Sequence, residues 1–593
     1  MRSLWCFILL AYVRIVQSEE EEQVDGCVEI EKRFKDEYNE HKQPVCICAD
    51  KGIFSTINGY SIECESAAIS TLVDNLQSLN GTAVGGLTIR DSTINILPVD
   101  IFENVYSKQL KLERCGISSI SSQTFGTLGK TIEYLSLRDN RIKRIQKGLF
   151  DSMPKLKTID LTGNKASEFD EGVFSKMENV EDLLLSGNIF NELPTGLFVG
   201  MKKLKKLNLE ACEMTKIQKG AFRGLESLEQ LILADNQLES IDWNLFSNLK
   251  NLKLLDLGSN KLSNIEIKSL PKLEKLVLND NNIDTMKQIK LKDLPNLVVA
   301  MIDRNKIKTV SDKDLMGFTR SDKIETLSIA WNNISQIGAK AFQYVPDLMA
   351  LLLQNNQLNE LSSNAVPFLA TFRKLTTLQI SANNLTVIRA GELPKSLLNL
   401  ALDHNALARI EPRALEGMAL KRIYLHSNKL QFLYQGAFDS IAPNSLEAID
   451  VSLNNWQCVC KDPKEWLPRW LAAAEESDVS EGPVGCLAIP GCGSGREIEE
   501  FEEEEEVVRA GWITVAATIL TVVTIIIMVV IAMLYFKDHR HQFSLRGRRS
   551  DSDLHKLIEN DPLNLPTDSI LVVPAMPKRN TGGKKTVRFQ QAY

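Results

Sequence analysis

Residues Leu228–Leu238 read LEQLILADNQL, and residues Leu252–Leu262 read LKLLDLGSNKL. Both stretches have apolar residues at their first, fourth, sixth and eleventh positions and Asn at the ninth. Apolar residues at the fourth and sixth positions, with an outward residue between them, are typical of a short strand that has one buried face. One such unit is too small to bury its own apolar face. A pattern that returns at a fixed interval therefore predicts stacked repeats.

The ninth position of this pattern recurs 16 times between Ser92 and Asn454, and the five intervals from Asn140 to Asn260 are 24 residues each. An inward Asn amide can donate to and accept from backbone groups that the turn after the strand leaves unpaired. Cys can take this place as a small buried residue with a weak donor. The ninth positions are Ser92, Cys115, Asn140, Asn164, Asn188, Cys212, Asn236, Asn260, Asn281, Asn305, Asn332, Asn356, Asn383, Asn405, Asn428 and Asn454.

The repeat resembles the extracellular, 24-residue class of the leucine-rich-repeat family over residues 84–456. This resemblance implies an α/β-type solenoid of about 16 units, a curved horseshoe whose concave side is one parallel sheet. Each unit returns behind its strand through a less regular segment with an apolar plug. The predicted plugs are Phe102, Phe125, Phe150, Phe174, Phe198, Phe222, Phe246, Phe342 and Phe438.

Cysteine-rich segments flank the repeats, and an open solenoid needs such caps to cover its exposed core. The segment 19–83 resembles the N-terminal cap of the family, and 457–495 its C-terminal cap. The resemblance implies the disulfides Cys27–Cys48, Cys46–Cys64, Cys458–Cys486 and Cys460–Cys492. Sequence alone leaves the pairing within each group open, and zinc binding is the less favoured alternative. Cys115 and Cys212 lie four repeats apart, too far for a bond, and are predicted to be buried free thiols.

The two ends of the chain predict a membrane address. Residues 1–18 resemble a signal peptide, and 496–510 form an acidic stalk. Residues 511–536 carry no charge and are long enough for a transmembrane helix. Basic residues follow at once in the segment 537–593, which predicts a cytoplasmic tail. We therefore expect a single-pass type I protein of the plasma membrane with its N-terminus outside.

Composition and motifs narrow the function. The chain has 593 residues, 44% of them hydrophobic, and a net charge of −7. Residues 1–510 carry −12 and residues 537–593 carry +5, so the main body is too acidic for nucleic-acid binding. The sequence has no H-E-x-x-H, Walker A or G-x-S-x-G motif. We therefore expect no enzyme activity, no cofactor and no metal.

Outward strand positions turn apolar between the tenth and fourteenth units. Adjacent strands place like positions side by side, so these residues predict one apolar ligand-binding patch. Its predicted polar flank consists of Asp403, His404, Arg422, Tyr424 and His426. The alternatives are scattered apolar residues, or shielding by a glycan or a homodimer partner. The predicted patch residues are Val298, Val299, Met301, Trp331, Met349 and Leu352, with Ala350, Leu398 and Ala401 in the same region.

Short motifs complete the prediction. Asn80, Asn333 and Asn384 begin glycosylation sequons. In the tail, Lys585, Val587 and Phe589 resemble the docking motif for type-1 protein phosphatase, and a kinase site near Ser550 is a second predicted contact. A basic tail that is drawn to anionic lipid is the alternative.

Together these features favour a receptor, co-receptor or adhesion molecule that binds an extracellular or cell-surface protein. The alternative is a membrane scaffold that anchors the phosphatase through its tail.

Overall fold

The computed structural model describes residues 46–49, 60–79, 81–99, 101–318, 323–431 and 445–457, with a few single residues and pairs elsewhere. They belong to one compact unit; a second unit, 459–461 and 488–584, lies outside the described residues. The predicted domain boundaries stay predictions.

One sheet of 19 strands runs through the described part of the chain. Its strands pair in chain order and are parallel, except that the first pair is antiparallel. The strands are Cys46–Ala49, Ser61–Glu65, Ala83–Arg90, Tyr106–Glu113, Tyr134–Ser136, Thr158–Asp160, Asp182–Leu184, Lys206–Asn208, Gln230–Ile232, Leu254–Asp256, Lys275–Val277, Val299–Met301, Thr326–Ser328, Ala350–Leu352, Thr377–Gln379, Asn399–Ala401, Arg422–Tyr424, Ala448–Asp450 and Asp478–Val479.

The register of this sheet follows from the leucine pattern. Leu231 pairs with Leu207 on one side and Leu255 on the other, and all three are fully buried. Most strands are three residues long, from the third to the fifth position of the unit, because the chain turns soon after the sixth. The parallel solenoid expected from the sequence is therefore confirmed.

The ninth-position Asn residues connect neighbouring units. Asn332 Nδ2 donates to the carbonyls of Ile302, Ile329 and Ala330 at 3.0–3.1 Å. Its Oδ1 accepts from the Ile307 N–H at 3.1 Å. One amide thus satisfies four backbone groups in two units, which is why Asn recurs at this position.

The turn after each strand depends on the eighth position, which adopts a left-handed backbone in the units from Ser92 to Asn454. Gly163 and Gly187 have φ of +72° and +70°, and Trp331 and His404 have +52° and +51°. Non-glycine residues rarely adopt this conformation, so the solenoid imposes it repeatedly. The sequence pattern did not reveal this feature, because the residues at the eighth position share no chemistry.

The return segments contain turns, 3₁₀ helices and short strand pairs. The 3₁₀ helices are Leu128–Lys130, Trp243–Phe246, Met286–Gln288, Asp314–Phe318 and Phe368–Thr371. The short parallel pairs are Arg144–Ile145 with Glu168–Phe169, Glu192–Leu193 with Lys216–Ile217, Ile265–Lys268 with Ile289–Lys292, Thr309–Val310 with Gln336–Ile337, and Val387–Ile388 with Arg409–Ile410. Ser362–Ser363 and Val366–Pro367 form an antiparallel pair, and further short strands are Trp456–Gln457, Cys486–Leu487 and Gln591–Ala592.

An α-helix spans Ile69–Ser78, before the repeats begin. The described return segments are thus not α-helical, and the α/β description of the predicted fold class is corrected. Short tight turns fit a 24-residue unit better than a helix does, because a helix would hold the units farther apart on that side.

A column of phenylalanines fills the space behind the sheet. All nine predicted plugs are fully buried or nearly so, and neighbouring rings stack, as in Phe150 and Phe174 at 5.8 Å between centroids. Phe318 and Phe368 are also buried, in units with longer returns. Sequence reasoning missed these two because they do not follow the ninth position by the usual ten residues.

The N-terminal cap contains two disulfides, Cys27–Cys48 and Cys46–Cys64. Cys46 and Cys64 are opposite each other on the antiparallel first pair of strands. Cys115 and Cys212 are buried and free, as predicted. The pairing of Cys458, Cys460, Cys486 and Cys492 lies outside the described residues.

The membrane part of the predicted fold class is corrected as well. Within the part of the chain that the structure describes, no helix combines the length and apolar character needed to cross a bilayer. The segment 511–536, on which the prediction rested, lies outside that part. The transmembrane helix is therefore withdrawn.

Candidate functional site

Two rows of outward side chains cross the sheet, from the third and fifth positions of the units. Val299 and Met301 are together on one strand, and Leu352 is two strands away, with Ser328 between it and Met301. Thr377 and Gln379 continue the rows on the next strand. The patch predicted from the sequence is therefore interrupted by polar side chains in these two rows.

Burial differs among the predicted patch residues. Leu352 is 7% exposed and Ala350 is equally covered, whereas Val298, Val299, Met301, Met349 and Leu398 keep intermediate exposure. Leu352 is in the crowded middle of the face, so it offers little area to a partner. The accessible apolar area comes mainly from the second-position residues and the Val299–Met301 strand.

The second positions form a third row, and its charge pattern changes along the sheet. Glutamate and lysine alternate there, and Lys157–Glu133, Lys205–Glu181 and Lys253–Glu229 form ion pairs of 2.6–2.7 Å across neighbouring units. From Val298 the row reads Val298, Glu325, Met349, Thr376 and Leu398, and pairing resumes at Lys421–Glu447, 3.0 Å.

Sequence reasoning missed this row, although opposite charges one repeat apart were visible. We call the row residues Val298, Met349 and Leu398, with Val299, Met301 and Trp331, the apolar surface.

Trp331 is the most exposed member of the apolar surface. It occupies the eighth position of its unit, where the left-handed backbone turns the side chain away from the core, and it is 52% exposed. Its backbone N–H donates to the Gln354 carbonyl at 2.8 Å, and the Arg304 guanidinium is 5.5 Å from its ring centroid. A rigid backbone thus presents a large aromatic ring beside a cation.

The carboxylate of Asp303, in the unit before Trp331, is held by its own neighbours. Asp303 Oδ1 accepts from Ser328 Oγ at 2.5 Å and from the Ala330 N–H at 2.8 Å. Burial raises the pKa of Asp303 above its ordinary value, while these two bonds oppose that rise. The Asp303 carboxylate is thus paired internally, whereas Trp331 remains exposed.

The predicted polar flank is close together in space. His404 and His426 are in adjacent units with ring centroids 5.1 Å apart, and Asp403 is beside both. Tyr424 is half-buried on the strand that leads to His426, and Asp450 is its register partner on the next strand. Arg422 Nη2 pairs with Glu447 at 2.6 Å.

The other predicted sites are located only in part. Asn333 and Asn384 are exposed directly after the buried Asn332 and Asn383, so both sequons are accessible. Asn80 and the tail residues Lys585, Val587 and Phe589 lie outside the described residues. Glycosylation and tail docking stay predictions.

Comparison with known proteins identifies relatives of two kinds. The chain is 74% identical over 595 residues to "P-granule-associated novel protein 1" of Caenorhabditis elegans, covering 100% of both chains. It is 37% identical over 133 residues to lumican of Coturnix japonica, covering 22% of this chain and 38% of lumican. The chain thus matches well under half the length of lumican.

A family model matches several stretches of the chain, and a solved structure shares part of its course. Residues 108–165, 130–190, 179–238, 230–283 and 373–430 match the leucine rich repeat family. The leucine-rich repeat protein LIC12759 of Leptospira interrogans aligns with a TM-score of 0.49 at 20% identity, covering 70% of this chain and 93% of that one.

These findings also correct the predicted location. We expected a plasma-membrane protein, but no described helix could cross a membrane and the full-length relative is described as P-granule-associated. The plasma-membrane assignment is withdrawn. Solenoids of this repeat are typically non-enzymatic and bind protein partners on extended surfaces. On full-length identity and matched repeats, the chain belongs to the leucine-rich repeat family, together with P-granule-associated novel protein 1.

Proposed function

We propose that this protein is a non-enzymatic binding protein that holds a protein partner on the apolar surface of its sheet. One observation carries the proposal. The row of Glu–Lys ion pairs gives way to part-exposed Val298, Met349 and Leu398 where Trp331 also emerges.

The chemistry of the surface suits a folded protein. Trp, Met and Arg are enriched in protein interfaces, and a Trp that fills a pocket on a partner often supplies a large share of the binding energy. Trp331 and Arg304 provide such a pair, and the part-exposed Val299 and Met301 are on the strand that neighbours the strand of Trp331's unit. The net charge of −12 over residues 1–510 disfavours nucleic acid as the direct ligand.

The identity of the partner decides the narrower role. Receptor, co-receptor and adhesion functions are narrower forms of such binding, and a second copy of the chain is an alternative occupant. The name of the 74% identical relative makes association with P granules the first cellular property to test for this chain.

The test compares two Asp substitutions at the same position of different units. Trp331→Asp removes the exposed ring, and Ser259→Asp is the matched control, with φ of +50° against +52°. Asp139, Asp235 and Asp280 already occupy this position, so the fold accepts Asp there. Each tagged full-length variant is expressed at the native level, and its copurifying proteins are quantified by mass spectrometry.

We expect at least one partner to fall about tenfold or more with Trp331→Asp and to stay at the wild-type level with Ser259→Asp; tenfold corresponds to about 1.4 kcal/mol of binding free energy. Retention of every wild-type partner by a folded Trp331→Asp protein would refute the proposal. If the lost partner is another copy of the chain, the surface is a dimer interface.

A second proposal concerns the segment around Val587 and Phe589. Its basic, Val and Phe pattern supports recruitment of type-1 phosphatase by strand addition. Val587→Ala with Phe589→Ala should abolish copurification of the phosphatase, and Gln590→Ala should not. Equal recovery with both variants would exclude this role.

A further inference from the structure

Three side chains with metal-binding groups converge at one edge of the sheet. Asp403 and His404 are the seventh and eighth residues of one unit, and His426 is the seventh of the next. The His404 N–H donates to the His426 carbonyl at 3.0 Å, which fixes the two units side by side. The imidazole rings meet edge to face.

The distances suit a shared ion. Asp403 Oδ2 is 3.0 Å from His404 Nδ1 and 3.7 Å from His426 Nε2, and each of the three residues offers one ligand atom within 4.8 Å of the other two. Ligands 2.0–2.1 Å from a tetrahedral Zn²⁺ are roughly 3.3–3.5 Å apart. Small side-chain rotations would therefore bring all three atoms into a coordination sphere.

Neighbouring side chains orient Asp403 and His426 for metal binding. Ser381 Oγ donates to Asp403 Oδ1 at 2.5 Å, which leaves Oδ2 directed toward the histidines. His426 Nδ1 is buried without an aligned hydrogen bond, and Asp450 Oδ2 lies 3.3 Å from it. A metal on His426 Nε2 would place the ring proton on Nδ1, where Asp450 can accept it. Carboxylates commonly support metal-binding histidines in this manner.

We propose that Asp403, His404 and His426 bind Zn²⁺, with Asp450 as the supporting carboxylate. Two imidazoles and one carboxylate match the ligand preference of Zn²⁺, whereas Ca²⁺ and Mg²⁺ need more oxygen ligands than the cluster offers. His404 is more than half exposed, so a fourth position is open to water or to a group from a partner. The site is independent of the apolar surface, whose test uses residues outside this cluster.

The test measures metal binding by the full-length, chelator-treated protein. Zn²⁺ is titrated by calorimetry and Co²⁺ by visible absorption, which reports tetrahedral coordination directly. Because other histidines and cysteines in the chain can also bind Zn²⁺, the informative quantity is the difference between wild type and variants.

We expect His404→Gln with His426→Gln to remove one equivalent of Zn²⁺ and the tetrahedral Co²⁺ bands, and Asp450→Asn to weaken binding about 10–100-fold. Asp303→Asn is the control, because Asp303 also occupies a seventh position and accepts from a serine, but Arg304 follows it instead of histidine. It should bind like wild type. His404→Gln alone changes a mostly exposed residue and keeps the test valid if the double variant fails to fold.

Two results would overturn the proposal. One is an identical number and affinity of Zn²⁺ sites in wild type and His404→Gln. The other is a loss of Zn²⁺ binding in the control Asp303→Asn as large as the loss in His404→Gln.

Discussion

Asn260 illustrates what a single ladder residue contributes. Its Oδ1 accepts from the Leu238 N–H, and its Nδ2 donates to the carbonyls of Leu233, Leu257 and Gly258. All of these groups are away from water, so the free energy of unfolding depends on the amide rather than on its apolar contacts. Because most units need this amide, Asn recurs at the ninth position, and the position can be recognised from sequence alone.

We predict that Asn260→Leu lowers the free energy of unfolding by roughly 2–4 kcal/mol, because it leaves one buried N–H and several carbonyls unpaired. Asn260→Cys should cost less, since Cys115 and Cys212 already occupy equivalent positions. Urea denaturation of both variants provides the measurement. A larger loss with Cys than with Leu would contradict this explanation of the ladder.

The two ladder cysteines should be chemically silent. Burial raises the pKa of Cys115 to about 11 and the pKa of Cys212 to about 12. Because the thiolate is the reactive form, both should resist alkylation in the native protein from pH 7 to 9 and react only after denaturation. Peptide mapping after iodoacetamide treatment tests this; rapid native labelling of Cys212 at pH 8 would show that its surroundings are more open.

Residue-scale prediction succeeded where one side chain performs one repeated task. The nine phenylalanine plugs and the ladder residues were found in this way. It failed for the eighth position, where Asp139, Ala211 and Trp331 share a backbone conformation and nothing in their side chains. It placed Asp403 and His426 together beside the patch but did not recognise them as possible metal ligands, because their distances are set only when units stack.

At the scale of the element, the Glu–Lys row links neighbouring units at their second positions, directly before each strand. Lys205 pairs with Glu181 at 2.7 Å, and hydrogen bonding to Glu181 raises the pKa of Lys205. Both side chains are more than a third exposed, so water and salt weaken the attraction. Such a row therefore helps to specify which units stack next to each other, and it adds little to the free energy of unfolding.

We predict that Lys205→Glu lowers the free energy of unfolding by about 1 kcal/mol at low salt, because it places a third glutamate between Glu181 and Glu229. Adding Glu181→Lys should restore much of the loss. The effect should shrink in 0.5 M NaCl as the charges are screened. A salt-independent loss would indicate a packing defect instead of charge repulsion.

The strands and their register could be predicted from the leucine pattern, but the exposure of the outward side chains on those strands could not. Sequence reasoning joined Met301 and Leu352 in one patch, whereas Ser328 stands between them and Leu352 is covered. The residues at outward positions do not repeat from unit to unit. The exposure of each one therefore depends on the size of the side chains on neighbouring strands. That information is absent from any one repeat.

At the scale of the whole molecule, stability is a property of stacked neighbours and of the cap. Cys46 and Cys64 join the antiparallel pair on which the first parallel strand rests. In a solenoid each unit contacts only the next ones, so damage at one end should stay local.

We predict that Cys46→Ala with Cys64→Ala costs roughly 2–5 kcal/mol in the first units and little elsewhere. Hydrogen exchange should quicken at Ile62 and Leu87 and stay slow at Leu255. Cys115→Ala, which removes no cross-link, is the control. Loss of protection along the whole sheet would mean that the repeats unfold as one block.

The central claim is that a partner protein rests on the apolar surface, and contact-dependent crosslinking tests it most directly. A photoreactive phenylalanine analogue replaces Trp331 in one protein and Ser259, at the equivalent turn, in another. Irradiation in the native cell should give a discrete protein adduct from position 331 and none from position 259. Equal adducts from both positions, or none from position 331, would contradict the claim.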